Sequence, residues 1–338
     1  MAELREVREL RSEYAGIHTH LLQDVITRLD RAYQAFFRRC KAGETPGYPR
    51  FKGRGRYRTF TFKDAKNRNG VRLVAGGARV DLSGIGKVKI KLHRPIVGTV
   101  KQVSVTLSGD GHWYVAFICC DVPAEALAAT GEDVGIDLGI TSFAALSNGD
   151  TVDNPRCYES AFRSLRTSQR QVSRRKRGSH RRHKAVILLA KQHGRVRRTR
   201  LDFHHKVARD IVRRFDSIAA EELNIKGLAR MRLAKQVLDA AWGQFTSILA
   251  NKAESAGREF IKVDPYGTSQ ECSGSGCGAT VRKSLSVRVH ACPKCGLVLD
   301  RDVNAAKNVQ ARGHRVRGEV GSRHLDEARS PHLAVCGR

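Results

Sequence analysis

The chain has 338 residues, enough for two or three domains at about 100–200 residues each, and its 41% hydrophobic share supports a core and excludes collagenous and disordered classes. Lys and Arg number 62 against 33 Asp and Glu, a formal charge of +29; so basic a chain repels itself unless an anion shares its surface, and nucleic acid is the leading partner. No run reaches the roughly 18 consecutive apolar residues of a spanning helix, and the start Met-Ala-Glu-Leu-Arg-Glu has no apolar signal core, so the expected location is the cytoplasm, with nucleoid association expected if the anion is DNA.

Residues 17–40 place Leu21, Leu22, Val25, Ile26, Leu29, Tyr33 and Phe36 at helical spacing, which predicts an amphipathic helix. A Gly, Pro and Arg-rich stretch at 42–59 follows. Strand-like runs come next at 60–62, 71–74, 79–82, 87–92, 100–106 and 113–119, alternating and separated by turn residues. That spacing predicts a small antiparallel barrel or sandwich within a first unit, 1–125. Composition shifts after Pro123. A second unit, 130–311, begins with an apolar strand at 134–138 and another at 143–146, with Asn148-Gly149 as a hairpin signal. Residues 158–214 read as helical and strongly basic: 161–214 hold nineteen Lys or Arg against Asp202 and Asp210, with a break at Gly178-Ser179. Strands are predicted at 217–220 and 260–263, and helices at 244–256 and 303–309. Residues 312–338 lack periodicity and read as a flexible tail. The class is α+β.

Nine cysteines, four of them in one short cluster, point to metal in a reducing compartment rather than to disulfides. Cys272-x4-Cys277 and Cys292-x2-Cys295 are fourteen residues apart and can form two knuckles on one tetrahedral ion. Gly276, Gly278 and Gly296 suit the knuckle turns. Four sulfurs with no open position favour one structural Zn²⁺ in a ribbon at 268–298; an iron–sulfur cluster is the alternative.

Three acids stand out within this basic chain. Asp137 lies in the apolar run Val-Gly-Ile-Asp-Leu-Gly-Ile, Glu221 ends the strand Ile-Ala-Ala, and Asp302 opens a helix in Leu-Asp-Arg-Asp-Val-Asn. Desolvated carboxylates are costly alone. Brought together they would need bridging cations, and two Mg²⁺ ions held by carboxylates are the usual device for displacement at phosphorus. Singly, each acid reads equally well as solvated, or for Asp302 as a helix cap. Gly135-Ile-Asp-Leu-Gly also resembles the first phosphate loop of actin-like ATPases, but the chain carries no second Gly-rich phosphate loop downstream.

The order Gly-Ile-Asp-Leu-Gly-Ile, Glu-Glu-Leu-Asn-Ile-Lys-Gly-Leu, Thr-Ser-Gln-x-Cys, Cys-Pro-Lys-Cys-Gly and Leu-Asp-Arg-Asp-Val-Asn-Ala-Ala-Lys-Asn resembles the TnpB family, transposon-encoded OrfB-type proteins related to compact type V CRISPR effectors. Tyr48-Pro-Arg-Phe-Lys is in the same style. The resemblance covers roughly 17–311. It implies an oligonucleotide-binding β-barrel, then a RuvC-like nuclease domain of RNase H fold carrying a zinc ribbon. It implies DNA cleavage guided by an RNA from the transposon end, on double-stranded target DNA. It assigns Asp137, Glu221 and Asp302 as catalytic Mg²⁺ ligands, with Glu222 and Asp300 as adjacent decoys, and Cys272, Cys277, Cys292 and Cys295 as zinc ligands. Family members usually carry some tens of residues before the helix that opens here, so the barrel unit is expected to be shortened. Arg174, Arg175, Lys176, Arg177, Arg181 and Arg182 are the densest basic run and are expected to bind nucleic acid. The rivals are a nucleic-acid-binding protein without cleavage, such as a guide-RNA-dependent repressor or a decayed relic, and a strand-transfer transposase.

Overall fold

The computed structural model describes residues 2–53, 55–65, 70–123, 126–284 and 286–327, and the chain divides into two units, 1–123 with 186–191, and 124–185 with 192–338. In the first unit, α1 (Ala2–Leu10) and α2 (Ser12–Ala15) precede the long helix α3 (Thr19–Lys41). His18 caps α3 by accepting from the His20 N–H, and Arg38, Arg39 and Lys41 fill its last turn, where cations complement the helix dipole. Six strands follow: β1 (Thr59–Phe62), β2 (Val71–Val74), β3 (Arg79–Leu82), β4 (Gly86–Lys89), β5 (Thr99–Leu107) and β6 (Trp113–Cys120).

These strands form two antiparallel three-stranded sheets, β1-β5-β6 and β2-β3-β4. Alternate residues point inward, so Phe62, Val103 and Val105 from one sheet and Val71, Val80 and Leu82 from the other bury into one core. Among the described residues no closed barrel forms, which corrects the barrel expectation. A physical reason lies at the edge: β4 is exposed along its whole length and carries Lys87 and Lys89, the charged edge that discourages further pairing.

The second unit holds β7 (Asp133–Leu138), β8 (Ser142–Leu146), β9 (Thr151–Asp153), α4 (Cys157–Ser173), α5 (His180–Arg214), β10 (Ser217–Glu221), α6 (Ile225–Leu228), α7 (Ala234–Ala240), α8 (Trp242–Ser255), β11 (Glu259–Val263), β12 (Val289–Ala291), β13 (Val298–Asp300) and α9 (Arg301–Glu327). The main sheet runs β11-β10-β7-β8-β9. β10 is parallel to both β7 and β11, while β8 is antiparallel to β7 and to β9. The Asn148-Gly149 turn closes the β8–β9 hairpin, with Gly149 at φ 98°. Gly178, at φ 80°, separates α4 from α5, and Ser179 caps α5 through the Arg182 N–H.

The two sheet faces meet different partners. Val134, Ile136, Leu138, Ile218 and Ala220 share a core with Ile211 and Val212 of α5 and Phe245 and Leu249 of α8. The alternate residues face α9: Ala219, Ile261 and Val263 cluster with Val309. The approach is close. A Cβ on Gly135 would stand 2.0 Å from the Ala306 carbonyl oxygen, and one on Gly313 would stand 2.6 Å from the Ala219 Cβ. Gly135→Ala is therefore expected to lose about 3 kcal/mol, the upper part of the overpacking range, measurable as a lower urea midpoint.

Helix α9 continues to Glu327, well beyond the predicted 303–309. The tail expected at 312–338 is thus helical as far as Glu327, and 328–338 lie outside the described residues. The continuation past 309 shows no apolar stripe, because the helix meets the sheet there through Gly313, packed against Ala219.

Candidate active site and metal centre

Asp137 lies two residues beyond Gly135 on β7, and Glu221 two beyond Ala219 on β10, so both side chains share the α9 face near the strands' C-terminal ends. Asp302 lies in the first turn of α9. Burial pushes the Asp137 carboxyl well above the usual carboxylate range, and the charges of Glu221 and Asp302 add to that rise, partly offset by Arg301 and Arg288. Each acid's charge is thus felt at Asp137. Glu221 is buried, and burial raises its pKa too, against a hydrogen bond donated by the Thr268 hydroxyl at 2.6 Å. Asp302 pairs with the Arg288 guanidinium.

The neighbouring acids have other employment. Asp300 caps α9, accepting from the N–H groups of Asp302 at 2.8 Å and Val303 at 3.2 Å. Glu222 is exposed and stands 3.7 Å from Lys262.

Thr268 stands out in the sequence only as the first residue of Thr-Ser-Gln-x-Cys, with no role beside Glu221, and Arg288 was not singled out. Both come from the segment around the cysteines. Asn304 and Asn308, one turn apart on α9, explain how that segment is held: Asn304 donates to the Glu271 carbonyl and accepts from the Ser273 N–H, and Asn308 donates to the carbonyls of Thr268 and Glu271. Two buried amides at i and i+4 in Asp-Val-Asn-Ala-Ala-Lys-Asn were the signal available.

The four cysteines converge as their spacing predicts. Their sulfurs all lie within 4.8 Å of one another, with Cys272 and Cys295 at 3.5 Å and Cys277 and Cys292 at 3.7 Å. A tetrahedron with Zn–S bonds of about 2.3 Å has edges of about 3.8 Å, so the thiols fit Zn²⁺. The Cys295 N–H leads the groups that hold Cys292 at about 6, while burial pushes Cys272 up to about 12. Gly274 packs against the sulfurs, where a Cβ would meet Cys295 Sγ at 3.1 Å. β12 and β13 form the antiparallel pair beneath the second knuckle.

The basic run lies at the α4–α5 junction. Arg174, Arg175, Lys176, Arg177 and Arg181 are exposed and Arg182 is half-buried. Arg175 reaches back to the Arg181 carbonyl at 2.6 Å. No helix among the described residues is long and apolar enough to cross a membrane.

Two family profiles match. Residues 117–232 match one described as a probable transposase of the OrfB type, and 242–309 match the Cas12f1-like TNB domain. A Streptomyces pristinaespiralis protein named as an RNA-guided DNA endonuclease is 36% identical over 301 residues, 86% of this chain and 71% of that protein. Its Escherichia coli K12 counterpart InsQ is 29% identical over 87% of this chain and 74% of its own length. Among solved structures, a Cas12f1–sgRNA–target DNA complex matches 63% of this chain and 45% of that one, with TM-score 0.45 and 18% identity. With a relative this similar along most of both lengths, and with the transposase profile spanning β7 to β10 and the TNB profile spanning the cysteine ribbon, the chain belongs to the TnpB (OrfB) family of RNA-guided DNA endonucleases.

Proposed function

We propose that the chain is a Mg²⁺-dependent, RuvC-like DNA endonuclease directed by a guide RNA from the transposon end, acting on double-stranded target DNA. The observation that carries this reading is the gathering of Asp137, Glu221 and Asp302 near the C-terminal ends of β7 and β10, in a chain whose net charge is +29. Numbered from β7, the sheet order is 3-2-1-4-5, with strand 2 antiparallel to 1 and 3, and 4 and 5 parallel to 1; this supports the RNase H topology implied by the resemblance.

Hard carboxylate oxygens suit Mg²⁺, and like charges that raise the Asp137 pKa are the electrostatics a bound dication relieves. Asp137, Glu221 and Asp302 would hold two such ions, which supply Lewis acidity and lower the pKa of a bound water. Thr268 fixes one Glu221 oxygen and so its rotamer. Arg288 balances Asp302. On the opposite sheet face Val134, Ile136 and Leu138 pack into the core and hold β7 in place beneath Asp137. The four cysteines would hold one structural Zn²⁺, with no open position for chemistry.

The test is direct. Protein copurified with its own RNA, given Mg²⁺ and duplex matching that RNA, is expected to cut DNA. Loaded protein that binds such targets and never cuts would establish the binding-only alternative.

The basic junction is proposed to grip phosphates. Replacing Arg174, Arg175, Lys176, Arg177, Arg181 and Arg182 by Gln is expected to flatten the plot of log affinity against log salt by about 0.7–0.9 per lost contact. An unchanged slope in titrations over a range of salt would place the grip elsewhere.

A further inference from the structure

A cavity that the proposed cleavage does not use opens past the C-terminal ends of β7 and β9, on the α7 side of the sheet and not on the α9 face that carries Asp137 and Glu221. β7 and β9 run in the same direction, each antiparallel to β8. Ile140, just past β7, and Asn154, just past β9, therefore lie at the same end of the sheet as Asp137, beyond the strands' carboxyl ends. In open sheets with parallel strands, ligands bind outside those carboxyl ends. Here a cavity of about 320 Å³ is walled by Ile140, Arg156, Tyr158, Phe162, Lys235 and Asp239. That volume is near the bottom of the usual range for small-molecule clefts, about 300–1,000 Å³. It suits one flat group and excludes a duplex.

The walls combine aromatic faces with cations. Tyr158 and Phe162, one turn apart on α4, meet edge to face at 5.8 Å, and Phe162 is 37% exposed. The Lys235 ammonium sits 5.9 Å from the Phe162 ring centre. Aromatic rings that stack bases, beside cations that take the flanking phosphates, are how proteins hold unpaired nucleic acid.

Two further features suit an anionic strand. The Asp239 carboxylate is largely buried and already compensated: it accepts from the Tyr158 N–H at 2.9 Å at the start of α4 and pairs with Arg200 at 2.8 Å. It therefore offers little repulsion. Arg156 holds a left-handed backbone, φ 43° and ψ 52°, unusual for a residue with a Cβ. Its guanidinium reaches Glu159 at 3.9 Å in an exposed pair of the kind that binds weakly, so it can turn to a phosphate.

We propose that this cavity stacks one unpaired nucleobase of single-stranded DNA, with the neighbouring phosphates on Arg156 and Lys235, and so anchors a single strand at the same end of the sheet as the candidate acids. The identity of that strand as the one to be cut rests on the nuclease reading; the stacking does not.

The experiment uses the full-length chain in magnesium-free buffer at about 0.3 M salt, where phosphate-only binding is weak. The probes are a fluorescein-labelled 20-nucleotide DNA strand and the same strand carrying 2-aminopurine, whose emission falls when it stacks. The parent is expected to bind and quench. The Tyr158→Leu/Phe162→Leu double variant is expected to bind about five- to hundredfold more weakly, the range of a base–aromatic stack, and to lose the quench. Arg156→Gly removes the cation where glycine accepts the backbone freely, so its melting temperature should hold or rise while affinity and salt slope fall. Parent-like binding and quenching by both variants would overturn the proposal. So would an RNA strand of the same sequence binding tighter than DNA and losing that advantage in the variants, since the cavity would then belong to the guide. A parent that binds and quenches but, loaded with guide and given Mg²⁺, never cuts matched DNA would end the nuclease reading and leave the stacking site in place.

Discussion

Stripping metal from the four-cysteine site is expected to unfold residues 273–300 while the rest of the second unit stays folded. The ribbon has little else to hold it. Its paired strands are three residues each, and its buried side chains are chiefly Cys272, Cys292 and His290. Structural zinc supplies about 10–16 kcal/mol of apparent binding energy in small zinc modules, and that energy is folding energy. Residues 268–272 should persist, because Asn304 and Asn308 tie the carbonyls of Thr268 and Glu271 to α9. Elemental analysis of fresh protein should give one zinc per chain. Cys295→Ser, at an exposed ligand, should lose that zinc and the hydrogen-exchange protection of 273–300 together. Cleavage should fall as well, since Arg288 would leave Asp302. Iron in place of zinc, or a metal-free protein with an intact ribbon, would sink the assignment.

Much of this site is legible in the sequence because its chemistry sits in short, local signals. The cysteine spacing announces two knuckles. An acid inside an apolar strand and another at a strand end announce a cost that must be met elsewhere. Thr268 and Arg288 are not legible in this way. Thr268 meets Glu221 across 47 positions, and an arginine in a chain with 62 basic residues carries no contrast. The strand pairing of the first unit was beyond reach for a related reason. Alternation marks strands and their inner faces, but only the exposed lysines of β4 hint that the sheets stop at an edge instead of closing. The extension of helix α9 past 309 was missed because Gly313 meets the sheet there and the stretch carries no apolar stripe to detect.

Asp137→Ala, Glu221→Ala and Asp302→Ala are each expected to lower guide-dependent DNA cleavage by on the order of 10³-fold or more, since members of one catalytic unit do not contribute additively. Binding of guide and target should survive, because the phosphate grip is proposed for the basic run at 174–182 and these carboxylates carry no positive charge. Glu222→Ala should cut nearly as well as the parent: that side chain is exposed. Asp300 needs a more careful control. Its carboxylate caps α9, and alanine there would cost about 0.5–2 kcal/mol of helix stability. Asp300→Ser keeps the cap, removes the charge, and should cleave like the parent. Asp137 adds a pH signature. Its carboxyl is held above the ordinary range by burial and then by Glu221 and Asp302. Without metal, the folded state keeps that proton where the unfolded chain has lost it. Stability should therefore decline as pH rises from the ordinary carboxylate range through the raised value. Over the same window Mg²⁺ should bind more tightly, since binding displaces the proton. Asp137→Asn should weaken both trends, leaving the smaller share that Glu221 contributes through its own raised pKa, and in metal-free buffer at neutral pH it should melt above the parent while cutting nothing. Thermal melts across pH, with and without Mg²⁺, run beside the cleavage assay, separate the outcomes. A variant that loses cleavage and melts below the parent would mark Asp137 as a structural group; dead Glu222→Ala with active Glu221→Ala would move the second ligand by one residue.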